Sequence, residues 1–136
     1  MNKEVLFLDF DNTLVNSSKR ICEMYNEDFK NHPDFKEAKW ELEYTWDFTT
    51  QCPLAGAKVI ERYFTEKRFF NGLEFYDGAK ETIKRLSELY TIKIISLGYP
   101  DNLKHKREFI KNNLVGISEF IACNLEEMND KSKFDL

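Results

Sequence analysis

The chain has 136 residues, a length that suits one domain with a small insertion, and its formal net charge is −4. Its lysines and arginines are spread among acids, so the basic surface that binds nucleic acid is missing. No stretch approaches the roughly 20 apolar residues that cross a bilayer. We therefore expect a globular protein that binds neither nucleic acid nor membrane.

The three cysteines, Cys22, Cys52 and Cys123, are odd in number and far apart. With two histidines and no paired cysteine spacing, a zinc site is not expected. Free thiols are typical of a reducing compartment. The N-terminal apolar run is too short for a secretory signal and is interrupted by Asp9. These features predict a cytoplasmic protein.

The first strand and the turn after it carry the strongest signal in the sequence. Residues 5–8 are all apolar, and Asp9 and Asp11 follow directly. A short continuous apolar run is typical of a strand that is buried on both faces of a parallel sheet. Ligands bind at the carboxyl ends of such strands. Two carboxylates this close repel each other unless a cation lies between them, and oxygen ligands favour Mg²⁺.

Two other interpretations of the acidic turn are weaker. A calcium-binding loop would need Gly and Glu where the chain has Leu14 and Arg20. A simple turn would explain Asp11 and Asn12 by their local hydrogen bonding. It does not explain Asp9, because an acid that closes a buried strand is costly without a partner.

Strands at 5–8, 91–96 and 120–123 alternate with helical patterns. This order predicts an α/β fold, with a parallel sheet, right-handed crossovers and helices on both faces. Residues 17–70 contain helical patterns and no convincing strand, so they predict a small helical cap inserted after strand 1. The α/β core would then comprise residues 1–16 and 71–136.

Three helices are predicted inside the cap. The first spans 18–30, the second is short and lies around 35–42, and the third begins at Pro53. Residues 44–53 form an irregular, aromatic segment between them. In the core, the first strand is the most apolar of the three and is therefore expected to lie in the middle of the sheet. Because only two other strands are present, one side of it is expected to lack a partner.

A second part of the site is expected where the second predicted strand ends, at Ser96. Its hydroxyl and the backbone amides of Leu97 and Gly98 can bind phosphate oxygens. Because parallel strands end at the same edge of a sheet, these groups should lie beside Asp9.

Asp9, Asp11 and Thr13 resemble the Asp-x-Asp-x-Thr motif that opens the haloacid dehalogenase (HAD) superfamily. The resemblance implies a HAD-like Rossmannoid core in which Asp9 is the nucleophile and forms an aspartyl-phosphate. Asp11 would act as general acid and base, and its backbone carbonyl would bind Mg²⁺ together with Asp9. Ser96 is similar to the second motif of the superfamily, a Ser or Thr that closes an apolar strand.

Lys131 resembles the lysine that neutralises the transferring phosphoryl group. The context Asp130-Lys131-Ser132 is similar to that of the 5′(3′)-deoxyribonucleotidases of this superfamily. Lys133 and, more weakly, Lys104 are alternatives. We interpret the charged run 104–107 as a solvated helix face. In the 5′(3′)-deoxyribonucleotidases an aromatic cap holds the base of the substrate. The residues here that could stack on a base are Trp40, Trp46, Phe48, Tyr63 and Phe64. Of these, Trp46 and Phe48 are expected to be exposed.

The acidic pair on a fourth strand, which completes the Mg²⁺ site in the superfamily, is missing. Asp135 is not preceded by a strand. The sequence is therefore interpreted either as a truncated chain or as one that has lost activity. We expect this chain to be weakly active at most and to associate with copies of itself.

The function predicted from the sequence is Mg²⁺-dependent hydrolysis of a phosphomonoester, either a nucleotide or another small phosphorylated substrate. Two alternatives stay open. A haloacid dehalogenase would need no second acid and no Mg²⁺, so Asp11 counts against it. A catalytically incomplete binding or regulatory module would explain the missing fourth motif.

Overall fold

The computed structural model describes residues 2–128 and residue 130. Their helices and strands are β1 (Glu4–Leu8), α1 (Ser17–Phe29), a 3₁₀ turn (Trp40–Leu42), α2 (Gly56–Thr65), α3 (Lys67–Asn71), α4 (Ala79–Leu86), β2 (Tyr90–Gly98), α5 (Pro100–Asn113) and β3 (Ile117–Asn124). The chain divides into two compact units. The sheet unit contains the three strands with α4 and α5, and the helical unit spans residues 16–74. Among the described residues, no helix is long and apolar enough to cross a membrane.

The sheet has the order β1-β2-β3, and both pairings are parallel. Leu8 lies beside Ile94, and Ser96 lies beside Ala122. Helices α4 and α5 pack against it. The predicted α/β fold with a parallel sheet flanked by helices is confirmed.

The expectation that β1 is buried on both faces is wrong. Val5 is 47% exposed and Phe7 is 39% exposed, whereas Ile92 and Ile94 of β2 are fully buried. In the described part of the chain β1 pairs with β2 alone, so it lies at an edge and β2 is central. Among the described residues the middle position expected for β1 thus belongs to β2.

Both later strands are longer than their apolar runs indicate. β2 begins at Tyr90, one residue before the predicted strand, and Tyr90 pairs with Glu4 of β1. β2 continues two residues past Ser96, the predicted end of the strand, and residues 97–98 still pair with β3. Parallel pairing with a neighbour thus decides the strand ends more than side-chain pattern does.

In the helical unit, α1 confirms the predicted first helix, although its N-cap is Asn16, whose Oδ1 accepts from Lys19 N at 3.1 Å. The predicted helix around 35–42 is wrong, because only the 3₁₀ turn forms there. The amide of Asn26 brackets Ala38, accepting from its N at 2.7 Å and donating to its O at 3.1 Å. These bonds hold the backbone of Ala38 to the side of α1 instead of within a helix.

Two arginines hold α1 and α3 of the helical unit together. Arg20 donates to the carbonyls of Phe69 at 3.1 Å and Arg68 at 2.6 Å. A Cβ at Gly72 would overlap the Arg20 guanidinium, so a larger residue there would displace Arg20 from these carbonyls. Arg68 in turn donates two bonds of 2.7 Å to the carboxylate of Asp28.

The Asp28 ion pair gives a pH-dependent prediction. Hydrogen bonds from Arg68 hold the pKa of the Asp28 carboxyl below its usual range, and Tyr63 Oη adds a bond of 2.7 Å. Because the folded pKa is the lower one, the stabilisation is present above the unfolded value of about 3.9. It is lost as pH falls through the folded pKa. We expect Asp28→Asn to lower the free energy of unfolding by about 1 kcal/mol at pH 7, a modest value because solvent screens the partly exposed pair.

Urea unfolding between pH 7 and pH 3.5 measures this effect. The difference between wild type and Asp28→Asn should shrink at the acid end of the range. The exposed Asp34 supplies a matched control, since Asp34→Asn should change little at any pH. A difference for Asp28→Asn that grows on acidification would contradict the assignment.

Candidate functional site

The turn after β1 is tightly closed by backbone hydrogen bonds. Thr13 N and Leu14 N both donate to the carbonyl of Phe10, at 3.2 and 2.9 Å. Asn12 N donates to Val15 O at 2.9 Å, and Asn12 takes a positive φ of 56°. Asparagine is one of the few residues that tolerate this left-handed conformation. The sequence Asp-Asn-Thr thus folds into a rigid turn directly beyond Asp9.

Asp9 lies between the end of β1 and this turn, and it is exposed. Its Oδ1 accepts a hydrogen bond of 2.7 Å from the backbone N–H of Phe10. This bond orients the carboxylate at the carboxyl end of β1. An exposed, oriented carboxylate is suited to meet a ligand from solvent.

Lys106 connects the acidic turn after β1 to the end of β2. Its ammonium donates to Asp11 Oδ2 at 2.8 Å, to Ser96 Oγ at 2.8 Å and to Leu97 O at 3.3 Å. The Lys106 side chain is 1% exposed and that of Asp11 is 15% exposed. A buried ammonium is costly unless it is paired and hydrogen-bonded, and these three acceptors satisfy it. The ends of β1 and β2 are thus linked by one buried cation from α5.

The sequence interpretation missed Lys106, and treating 104–107 as a solvated face was wrong at this position. A signal was available, because Lys106 stands three residues after Leu103 and four before Ile110, which are both buried. That spacing places Lys106 on the apolar face of α5. A lysine on the buried face of a helix next to an acidic turn indicates an ion pair.

The ring of Phe10 packs against Lys106, the cation of the same ion pair. It is fully buried, and Lys106 Nζ lies 5.3 Å from the centre of its ring. This distance is within the range of a cation–π contact. Phe109 of α5 packs edge-on against Phe10 with ring centres 6.0 Å apart. These contacts hold α5 in the position from which Lys106 reaches Asp11.

The predicted second part of the site also lies here. Ser96 is 1% exposed and, through Lys106, is connected to Asp11. Leu97 and Gly98 continue the strand, and Gly98 O accepts from Leu125 N at 2.9 Å. A Cβ at Gly98 would overlap the side chain of Asn102, so a larger residue at this strand end would displace Asn102.

The remaining candidates are placed differently. Thr13 is exposed in the turn after β1. Lys131 and its alternative Lys133 lie outside the described residues, so the predicted role of Lys131 stays a prediction. Lys104 is exposed on α5 and is separated from Lys106 by one residue.

The donor set near Asp9 is compatible with Mg²⁺ but small. Among residues 2–128 and 130, no group of three or more His, Cys, Asp or Glu side chains is placed to hold a metal ion. The carboxylate of Asp11 is paired with Lys106, which leaves the Asp9 carboxylate and the Asp11 carbonyl as the candidate ligands. Mg²⁺ often uses one or two carboxylates, with waters and substrate phosphates completing its six ligands. The residues present therefore fit Mg²⁺ in that mode.

The helical unit holds an aromatic group formed by Trp46, Phe48 and Phe64, whose ring centres are 6.3 to 6.5 Å apart. Trp46 is 56% exposed, as expected, but Phe48 is fully buried, so its predicted exposure is wrong. Asp47 organises the turn between them by accepting from Thr49 N at 2.9 Å. A base contact by Trp46 stays a prediction.

Several solved structures share the fold of this chain. The chain aligns with a Bacillus subtilis protein, YfnB, described as a HAD hydrolase bound to magnesium, with a TM-score of 0.59 and 16% identity over 90% of this chain. A Clostridium difficile protein described as a phosphatase gives a TM-score of 0.61 and 13% identity over 96% of this chain. A haloacid dehalogenase-like protein from Streptococcus pneumoniae gives 0.53 and 15% over 90%.

At these identities the likeness shows the fold alone, which is that of the HAD-like hydrolases. The chain spans 64%, 66% and 62% of the length of these three proteins. No curated protein matches its sequence.

The sequence itself also matches a family model. The match covers residues 3–130 and therefore includes β1, the acidic turn, the helical unit, Ser96 and Lys106. The family is described as 5′ nucleotidase, deoxy (pyrimidine), cytosolic type C, abbreviated NT5C. This coverage, together with the HAD-like fold, shows that the chain belongs to the NT5C family of deoxynucleotidase-like proteins.

Proposed function

We propose that the protein hydrolyses small phosphomonoesters, with a deoxyribonucleoside 5′-monophosphate as the favoured substrate class. One observation supports this more than any other. Lys106 places a buried positive charge 2.8 Å from both Asp11 and Ser96, at the carboxyl ends of neighbouring parallel strands. A buried cation beside a hydroxyl and a carboxylate at this edge of the sheet can help to stabilise the negative charge of a phosphoryl group bound there.

Asp9 is the proposed nucleophile. A carboxylate oxygen of Asp9 would form a bond to phosphorus while the bond from phosphorus to the ester oxygen breaks. The hydrogen bond from Phe10 N at 2.7 Å supports this role because it orients the carboxylate without burying it. Water would then attack the aspartyl-phosphate, releasing phosphate and restoring Asp9.

Asp11 is the proposed general acid and base. It would give a proton to the departing ester oxygen and later take one from the attacking water. The hydrogen bond from Lys106 fixes one oxygen of this carboxyl, so the group is held in a defined orientation. The need for two successive proton transfers distinguishes this reaction from dehalogenation, in which no leaving oxygen is protonated.

Ser96 is proposed to hold a phosphoryl oxygen, and Lys106, which donates to Ser96 Oγ and Asp11 Oδ2, is proposed to orient both groups and to supply positive charge beneath them. Ser96 and Lys106 are almost fully buried, so their hydrogen bonds would act in a medium of low dielectric constant. Thr13, the amides of Leu97 and Gly98, and Lys131 are proposed as further contacts. Mg²⁺, held by the Asp9 carboxylate and the Asp11 carbonyl, would supply charge neutralisation when bound.

Release of inorganic phosphate tests the proposal. The 136-residue chain should release phosphate from a pyrimidine deoxyribonucleoside 5′-monophosphate faster than from a sugar phosphate of equal charge. The reaction should stop when EDTA removes divalent ions. Halide release from a 2-haloacid would instead support a dehalogenase, and absence of any phosphate release at high enzyme concentration would favour a binding module.

Metal binding can be tested without turnover. At about ten times its dissociation constant, Mg²⁺ should stabilise the fold by about 1.4 kcal/mol and raise the melting temperature by roughly 5 °C. We expect Asp9→Ala to remove this shift, because it deletes the proposed carboxylate ligand. Differential scanning calorimetry with and without MgCl₂ measures it.

The control for the metal test is Asp34→Ala, which removes an exposed carboxylate far along the chain from the acidic turn. This variant should keep the shift. If the Mg²⁺-dependent shift survives in Asp9→Ala, the ion binds elsewhere on the protein.

A further inference from the structure

The turn from β2 into α5 is short, and two buried polar residues of α5 lie against it. β2 ends at Gly98 and α5 begins at Pro100, so Tyr99 alone connects them. Asn102 and Lys106 are both almost fully buried. Residues four apart on a helix are neighbours on one face, so these two side chains lie on the same side of α5. The proposed reaction gives Lys106 a role and assigns none to Asn102.

Asn102 contacts the backbone of Gly98. Its Oδ1 occupies the position that a Cβ of residue 98 would take, and its Cγ lies 3.0 Å from that position. Leu103, the next residue of α5, borders the same space, with its Cδ2 3.3 Å away. The carboxamide therefore fills the place of the side chain that glycine lacks. Gly98 and Asn102 thus form a close-packed pair, which a larger residue at position 98 would separate.

The same residue is also held by β3. Gly98 pairs with Asn124, and Gly98 O accepts a hydrogen bond of 2.9 Å from Leu125 N. Glycine has more backbone freedom than any other residue, so its conformation depends on such outside contacts. The end of β2 is therefore held within the sheet by β3, and from the side of α5 by the Asn102 carboxamide.

We propose that Asn102 is a positioning residue of the phosphate site. It would act through Gly98 and fix the end of β2, from which Ser96 and the backbone amides of Leu97 and Gly98 contact the phosphoryl group. This inference rests on the proposed function, because it concerns the same site. Lys106 holds the two preceding residues, donating to Ser96 Oγ at 2.8 Å and to Leu97 O at 3.3 Å. Each residue of this strand end is thus contacted by a buried polar side chain of α5.

Small displacements of the strand end are expected to affect catalysis. Hydrogen-bond donors stabilise the charge that develops on a phosphoryl group best when they are already aimed at it, since no reorganisation is then needed. A displacement of about 1 Å can cost on the order of a hundredfold in rate. The carboxamide of Asn102 limits such a displacement at Gly98. Alanine at position 102 would leave a space into which the backbone can relax.

Steady-state release of phosphate measures the effect of Asn102→Ala. We expect kcat to fall roughly tenfold while KM changes less than about threefold, because these donors act mainly on charge that develops in the transition state. Asn113→Ala is the matched control, since it is the same substitution at the other end of α5, where Asn113 Nδ2 donates to Phe109 O at 2.8 Å. Ile110→Val removes one buried methyl group from the same helix, so it should lower the melting temperature without changing kcat.

The contact itself is tested by combining two substitutions. Gly98 has no positive φ, so alanine there is not strained in itself and its effect should come from the overlap with Asn102. Gly98→Ala alone should lower kcat at least about thirtyfold, because it displaces the carboxamide and the strand end together. In the double variant with Asn102→Ala the new methyl group enters the vacated space. Its kcat should therefore recover to within about threefold of that of Asn102→Ala, whereas independent effects would multiply.

Hydrogen exchange gives a measurement that needs no turnover. The Leu125 amide donates to Gly98 O, so its exchange rate reports how firmly the end of β2 is held. In Asn102→Ala this amide should exchange at least about fivefold faster than in the wild type. Asn113→Ala should leave the rate unchanged. Ile110→Val corrects for any general loss of stability.

The outcomes separate this inference from the proposed function. A lower kcat in Asn102→Ala, recovery in the double variant and faster exchange support the inference. If the wild type releases phosphate but Asn102→Ala behaves like Asn113→Ala, or the two substitutions act independently, the inference is overturned and the proposed function stands. If the wild type releases no phosphate from any phosphomonoester, both fail. If Gly98→Ala does not fold, the kcat and exchange rate of Asn102→Ala, compared with the two controls, decide the question.

Discussion

Replacement of Asp9 by Asn is expected to lower phosphatase turnover by at least about a thousandfold, equivalent to about 4 kcal/mol of transition-state stabilisation. The change removes the negative charge that attacks phosphorus. It leaves the shape of the side chain and one acceptor oxygen, so the bond from Phe10 N at 2.7 Å in the wild type can still form. Because Asp9 is exposed, the free energy of unfolding should change by less than about 0.5 kcal/mol.

Phosphate release and urea unfolding, measured on the same preparations, separate the chemical effect from a folding effect. Asp101→Asn is the matched control, because Asp101 is an exposed aspartate at the start of α5 in the same unit. It should retain most of the activity. Turnover in Asp9→Asn within tenfold of wild type, in a preparation free of other phosphatases, would remove Asp9 from the nucleophile role.

The acidic turn could be predicted from the sequence because its chemistry is local. An apolar run that ends in Asp9 and Asp11 indicates a strand end with a ligand site, and Asn12 suits the left-handed residue that the turn contains. The helix at 18–30 could likewise be predicted from the four-residue spacing of its apolar residues. Each of these features depends on neighbours within a few positions, so pattern alone is informative.

Sheet position could not be predicted as well. The run at residues 5–8 is the most apolar of the three strands, yet β2 is the buried one. Burial depends on how many neighbours a strand has in the described fold, and composition does not report that number. The same limit applies to strand ends, since Leu97 and Gly98 remain in β2 because Cys123 and Asn124 are beside them.

Side chains that act at long range were also missed. Asn26 reshapes the backbone at Ala38, twelve residues away, and Lys106 reaches Asp11 across 95 residues of sequence. Phe48, predicted to be exposed, is buried with a positive φ of 60°, a conformation that bulky residues rarely adopt. These contacts depend on tertiary packing, which periodicity does not encode.

The Asp11–Lys106 pair should respond unequally to removal of its two members. Asp11→Ala leaves the Lys106 ammonium, 1% exposed, with only the neutral acceptors Ser96 Oγ and Leu97 O. An uncompensated buried charge costs about 3–5 kcal/mol. Lys106→Met leaves the Asp11 carboxylate, which at 15% exposure can reach water, so we expect a smaller loss of about 1–2 kcal/mol.

Urea unfolding of both single variants and the double variant measures this asymmetry. The free energy of unfolding of the double variant should be close to that of Lys106→Met alone. Once the ammonium is gone, removal of Asp11 leaves no buried charge without a partner. This result corresponds to a coupling energy as large as the Asp11→Ala loss itself, about 3–5 kcal/mol, at or above the upper end for interacting neighbours. Lys104→Met is the control, since Lys104 is exposed on the same helix and should change stability little. If the two single losses are equal and simply add, Lys106 is not held by Asp11, and the link between the ends of β1 and β2 must be made by other groups.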